Sequence, residues 1–87
     1  MSTKNEKPQP GDSVILLGLP PKFLDDLPEE DQMAISAKIG KVVRLEEYDE
    51  LGRAELSFHD SDGNGHSIWV YPQFYRTLSE TELPTKN

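Results

Sequence analysis

The sequence is 87 residues long, which is enough for one small domain. It contains no cysteine, and this excludes disulfide bonds, thiolate chemistry and zinc sites built on cysteine. Sixteen Asp and Glu residues against nine Lys and Arg residues give a formal net charge of −7, which disfavours nucleic acids as partners because phosphate binding requires positive charge.

The two ends of the chain are polar. Residues 1–10 contain no apolar anchor, and residues 79–87 are polar apart from Leu83. Neither segment can bury enough apolar surface to offset the entropy of ordering, so we expect two flexible tails around a folded unit at residues 11–78. The chain also lacks the apolar run of about 18 residues that a membrane span needs, and we expect a cytoplasmic protein that does not enter a membrane.

One strand and one helix are predicted in the first half of the folded unit. Residues 13–17 form an apolar, partly β-branched run that predicts the first strand. A short helix is predicted at about residues 28–38, because Pro28 suits the first helical position and Gly40 follows as a stop signal. The apolar residues of this segment share one side, which we expect to pack against the sheet: Ala34, Ile35 and Ile39.

Alternating apolar and polar residues predict three consecutive strands after the helix. The clearest alternation lies at residues 53–59, and Gly52 supplies a positive φ in the turn before it. A 3₁₀ turn and a short last strand should complete the domain. The strands are expected at residues 41–48, 53–59, 66–71 and 76–78. The turns between them are expected at residues 49–52 and 60–65, and the 3₁₀ turn at residues 72–75.

This order of elements resembles that of SH3-like barrels. Residues 68–75, Ile-Trp-Val-Tyr-Pro-Gln-Phe-Tyr, look like the strand, proline and aromatic turn near the end of such domains. Residues 10–14, Pro-Gly-Asp-Ser-Val, are similar to the start of the barrels in the nitrile hydratase β-subunit and the ferredoxin–thioredoxin reductase variable chain. The resemblance, which extends to small uncharacterised bacterial proteins, implies a mostly β, SH3-like five-stranded barrel with one short helix inserted after the first strand. The Ala-Leu-Tyr-Asp-Tyr segment of signalling SH3 domains is missing, so proline-peptide binding is not implied.

The loop at residues 60–65, Asp-Ser-Asp-Gly-Asn-Gly, matches the first half of a calcium-binding loop. The twelfth position, which needs a bidentate Glu, is Tyr71, and the flanking segments are strands instead of helices. The same residue types form ordinary tight turns, so we predict a plain turn. A weak cation site remains the alternative, with these ligands: Asp60, Asp62 and Asn64.

His59 and His66 flank this loop, and two imidazoles with a nearby carboxylate would suit zinc. The hairpin register that places Ile68 and Val70 inside sets the two histidines on opposite faces of the sheet. We therefore predict no shared metal, no cofactor and, since no nucleophile lies beside a base held by a third group, no enzymatic activity.

Aromatic residues near the end of the domain are the strongest indication of function. If Ile68 and Val70 point inward, their neighbours point outward and line a shallow groove, although a domain this small could also use Trp69 as core. Tyr and Trp are enriched in protein interfaces, so we predict a protein-interaction domain whose partner carries basic residues. The alternative is an accessory subunit of an enzyme complex. The predicted contact residues are Trp69, Tyr71, Pro72 and Tyr75, with an acidic rim at Asp25, Asp26, Glu29 and Glu30.

Overall fold

The computed structural model describes residues 7–78, which form five strands, one α-helix and one 3₁₀ turn. The predicted order of elements is confirmed, and the helix follows the first strand as expected. The helical segments within this range are too short and too polar to cross a membrane. The elements are β1 (Ser13–Leu16), α1 (Glu29–Ser36), β2 (Val42–Tyr48), β3 (Ala54–His59), β4 (Gly65–Val70), the 3₁₀ turn Pro72–Phe74 and β5 (Tyr75–Thr77).

The five strands make a single antiparallel sheet in the order β4-β3-β2-β1-β5. The predicted barrel is wrong in one respect, because β4 and β5 lie at opposite edges and the sheet does not close. The sequence turns at Pro72 directly after β4, and the three residues of β5 pair with β1. Within the described residues, β4 therefore keeps an open edge.

A β-bulge in β2 keeps charged side chains out of the core. Leu45 pairs with Leu56 but Glu47 pairs with Glu55, so Glu46 is an extra residue on this strand. Without it, the alternation of the buried Leu45 would place Glu47 on the core face. The bulge shifts the alternation by one residue, so that Glu47 stays in water and Tyr48 packs against the core.

The core lies on one face of the sheet, under α1 and the segment before it. Leu56 faces Ile68 across the β3–β4 pair, and both are buried. Within α1 only Ile35 is buried, and the predicted packing of Ile39 is wrong because the helix ends at Ser36 and leaves Ile39 41% exposed. Partly buried side chains complete the cover: Leu19, Phe23, Leu24, Leu27, Tyr48 and Phe74.

The described part of the N-terminal segment makes contacts that the sequence did not predict. The Tyr48 hydroxyl donates a hydrogen bond to the Pro8 carbonyl at 2.6 Å. The ammonium group of Lys7 lies 4.3 Å from the centre of the same ring. Among the described residues, contacts with the sheet thus extend back to Lys7, four residues before the predicted boundary at residue 11. The rest of the predicted N-terminal tail and the whole C-terminal tail lie outside the described residues.

We expect Tyr48→Phe to lower the free energy of unfolding by about 1 kcal/mol, the net value of one partly buried hydrogen bond. Tyr71→Phe is the matched control, since the Tyr71 hydroxyl makes no hydrogen bond within residues 7–78. Urea unfolding of both variants measures the difference. Equal midpoints for the two variants would mean that the contact with Pro8 contributes no stability.

Candidate functional site

The predicted aromatic groove is not formed as a unit. Tyr71 is 44% exposed and Pro72 is also exposed, but Tyr75 is only 7% exposed and belongs to the core. The assignment of Tyr75 to a binding surface is therefore wrong. Its burial follows from the register, because Tyr75 pairs with the fully buried Leu16 of β1 and shares its face of the sheet.

Trp69 occupies the position between core and surface that the sequence left open. It pairs with Glu55 on the face of the sheet opposite the core, and its side chain is half-buried. The four residues predicted to form the acidic rim are all exposed: Asp25, Asp26, Glu29 and Glu30. Among them, only Glu30 lines one of the two clefts described below.

A cleft of about 350 Å³, here called the edge cleft, runs beside β4. Ser67 and Trp69 line it from the outer face of the strand, and His66 and Ile68 line it from the core face. A cavity that contacts both faces of one edge strand must lie along its open edge. Arg53 also lines the cleft. Four residues of α1 and of the segment before it form the opposite wall: Phe23, Leu27, Asp31 and Ile35.

Alternate residues of β4 direct their main-chain N–H and C=O groups toward this open edge. Six consecutive residue pairs join β3 to β4 without a bulge, and the Asp60 N–H donates to the Asn64 carbonyl at the hairpin end. Because hydrogen-bonded pairs alternate in an antiparallel ladder, the amide and carbonyl groups of Gly65, Ser67 and Trp69 point away from β3. Those groups have no hydrogen-bond partner among residues 7–78.

A bridge of polar contacts through His66 links α1 to the β3–β4 hairpin. Its Nε2 atom lies 2.9 Å from Asp60 Oδ2, and its Nδ1 atom lies 3.6 Å from Asp31 Oδ1 on α1. The imidazole also stacks on Phe58, with ring centres 5.5 Å apart. His66 and Asp31 both line the edge cleft, so this bridge joins its two walls.

A second, larger cleft of about 930 Å³ lies between α1 and the loop at residues 60–65, on the other side of the bridge. Its lining carries charges of both signs, including Lys38 and Lys41 together with Asp31 and Asp62. The edge cleft is the more apolar of the two. It is therefore better suited to apolar side chains of a partner.

The loop at residues 60–65 is organised around Asp60. One carboxylate oxygen accepts hydrogen bonds from the N–H groups of Asp62 and Asn64, each at 2.9 Å, and the other contacts His66. Both oxygens are therefore used inside the hairpin, as in an ordinary Asx turn. Within residues 7–78, no group of three or more Asp, Glu or His side chains is arranged to hold a metal ion. His66 pairs with Phe58, so the predicted placement of His59 and His66 on opposite faces is confirmed.

The pKa of Asp60 is held at about 2, below its usual 3.8, first by the hydrogen bond from His66 and then by the N–H groups of the loop. Because the folded-state pKa is depressed, the stability from this carboxylate is present above 3.8 and is lost as the pH falls through about 2. We expect the Asp60 carboxyl carbon to titrate near 2 by NMR, and nearer 3.8 in His66→Phe. A titration midpoint near 3.8 in the unmodified protein would contradict the hydrogen bond between His66 and Asp60.

The opposite wall of the edge cleft was not predicted. Phe23 and Leu27 lie in the segment between β1 and α1, for which no helix or strand was predicted. The available signal was the spacing of these two apolar residues, four positions apart in a charged segment.

Comparison with known proteins found no match. No family model matches the sequence, and no curated protein or solved structure is similar to it at a significant level.

Proposed function

We propose that this protein is a non-catalytic interaction domain that binds a basic, extended segment of a protein partner in the edge cleft. One observation carries the proposal: a largely apolar cleft lies beside an unpaired strand edge, with the half-buried Trp69 in its wall. Tryptophan in a partly desolvated cleft is the residue type most often found at the energetic centre of protein interfaces.

Charge supports a basic partner. The chain carries a net charge of −7, and Asp31 lines the cleft itself. Glu55 pairs with Trp69 on the outer face of the sheet, and Glu30 immediately precedes Asp31 in α1. Arg53, the one basic residue in the lining, is already paired with Asp49 at 2.7 Å. Such a surface attracts Lys and Arg side chains and increases the rate of association with a basic segment.

We also propose that the domain is SH3-like. The strand order β4-β3-β2-β1-β5, the long connection after β1 and the 3₁₀ turn before β5 support this class. The absence of cysteine supports a cytoplasmic location.

Selection from a phage library of random peptides of about 12 residues tests the proposed function. We expect the unmodified protein to enrich peptides in which apolar residues alternate with Lys or Arg. Trp69→Ala should lose this enrichment, since loss of an aromatic contact of this kind weakens binding by about 2 kcal/mol or more.

Tyr71→Ala is the matched control, because Tyr71 is exposed and does not line the edge cleft. It should enrich the same peptides as the unmodified protein. Circular dichroism verifies that both variants are folded. If no peptide is enriched, or if Trp69→Ala selects the same peptides, the proposal is wrong.

A further inference from the structure

This inference rests on the proposed function and specifies how the partner binds. We infer that the partner adds a sixth strand to the sheet at the open edge of β4, placing apolar side chains in the edge cleft between Ile68 and the wall at Phe23 and Leu27. The partner is thus recognised as a strand in which apolar and basic residues alternate.

The open edge of β4 carries the main-chain donors and acceptors that such a strand would need. Gly65, Ser67 and Trp69 each direct an amide and a carbonyl group along the open edge, and none of these groups has a partner among residues 7–78. An extended segment about 4.8 Å away would satisfy them through main-chain hydrogen bonds. This kind of binding is independent of sequence, so side chains must provide specificity.

The side chains beside the edge predict which residues the partner carries. On the core face, the added strand would lie next to Ile68 and opposite Leu27, which favours apolar residues. On the outer face it would lie beside Trp69 and close to Glu55, which favours the aliphatic stems and positive charges of Lys or Arg. Successive residues of a strand point to opposite faces, so the two preferences alternate.

A second copy of this chain is a poorer occupant. Two domains of net charge −7 repel each other, and pairing of β4 with its own copy would bring the two Asp31 carboxylates toward one interface. β5 is a poorer site, since it has only three residues and no described cleft lies along it. The charge and the cleft together favour a basic partner at β4.

The test uses an end-capped peptide, Lys-Val-Lys-Leu-Lys-Val-Lys, titrated into the protein and followed by amide NMR. The indole N–H of Trp69 reports occupation of the cleft. The backbone amides of Ser67 and Trp69 report strand addition, and we expect them to shift downfield and to exchange more slowly with solvent. The amides of His66 and Ile68, which already bond to β3, should move less. The peptide Glu-Val-Glu-Leu-Glu-Val-Glu is the charge-reversed control and should not bind.

Two N-methylated peptides separate strand addition from binding through side chains alone. One carries methyl groups on the lysine amides and the other on the valine and leucine amides, which face opposite edges of an extended strand. We expect one of them to bind about tenfold more weakly or worse, because it loses main-chain hydrogen bonds, while the other stays within about threefold. If methyl groups on the lysine amides weaken binding, the added strand is antiparallel to β4. If methyl groups on the valine and leucine amides weaken binding, the added strand is parallel to β4. Both results support the inference.

The outcomes distinguish this inference from the proposed function. If the indole of Trp69 shifts but the two methylated peptides bind equally, the cleft binds side chains and strand addition is wrong. If the indole does not shift with the basic peptide, or shifts equally with the acidic one, the inference is wrong. The proposed function is then decided separately by the peptide selection.

Discussion

Replacing Tyr75 with alanine should lower the free energy of unfolding by about 3–5 kcal/mol, the cost of removing a buried aromatic side chain. Tyr75 is 7% exposed and packs in the core beside Leu16. Burial raises the pKa of Tyr75 well above its usual value, as expected for a phenol removed from water, and the neighbouring Tyr48 hydroxyl is the second, smaller cause. A loss of this size is a large part of the stability of a domain with fewer than about 100 residues.

The matched control is Tyr71→Ala, four residues earlier in the chain. Tyr71 is 44% exposed, so the same change should alter the free energy of unfolding by about 0.5 kcal/mol or less. Urea unfolding of both variants by circular dichroism measures the two values. If the costs are equal, β5 does not pack on β1 as described, and Tyr75 returns to the binding surface.

Replacing Ile35 with alanine should cost about 2–5 kcal/mol, because this residue attaches α1 to the core. Ile35 is 4% exposed and is the only residue of α1 that is fully buried. It also lines the edge cleft, so its loss should disturb the wall that faces Trp69. We therefore expect a red shift of Trp69 fluorescence at urea concentrations where the variant is still folded.

Met33→Ala, on the same helix, is the control for this change. Met33 is 66% exposed, and the substitution should change stability by about 0.5 kcal/mol or less and leave the fluorescence of Trp69 as it was. Helix propensity hardly differs between the two variants because each introduces alanine. An Ile35→Ala variant as stable as Met33→Ala would show that α1 is not held by its buried face.

Local patterns were sufficient to predict the elements and one hairpin register. The alternation of Ala54, Leu56 and Phe58 required a partner strand with Ile68 and Val70 on the same face, and this determined the positions of both histidines. Gly52 has a φ of 89°, as its place in a tight turn predicted. These features depend on residues close together in the sequence, so a period of two and a turn residue are enough.

Features that depend on distant contacts were missed. The bulge at Glu46 and the burial of Tyr75 both change which face a residue occupies, and each results from pairing with another strand. Simple alternation cannot show such a change, because it assumes that the phase of a strand never shifts. The edge cleft joins Phe23 to Trp69, which are far apart in the chain and share no pattern.

Amide hydrogen exchange of the free protein along β4 measures whether the outer edge of this strand is unpaired. An open edge predicts an alternating pattern, in which the amides of His66, Ile68 and Val70 are protected by bonds to β3 while those of Ser67 and Trp69 exchange rapidly into the edge cleft. Uniform protection of all five amides would contradict it, because the open edge would then already be covered by another part of the chain or by a second copy.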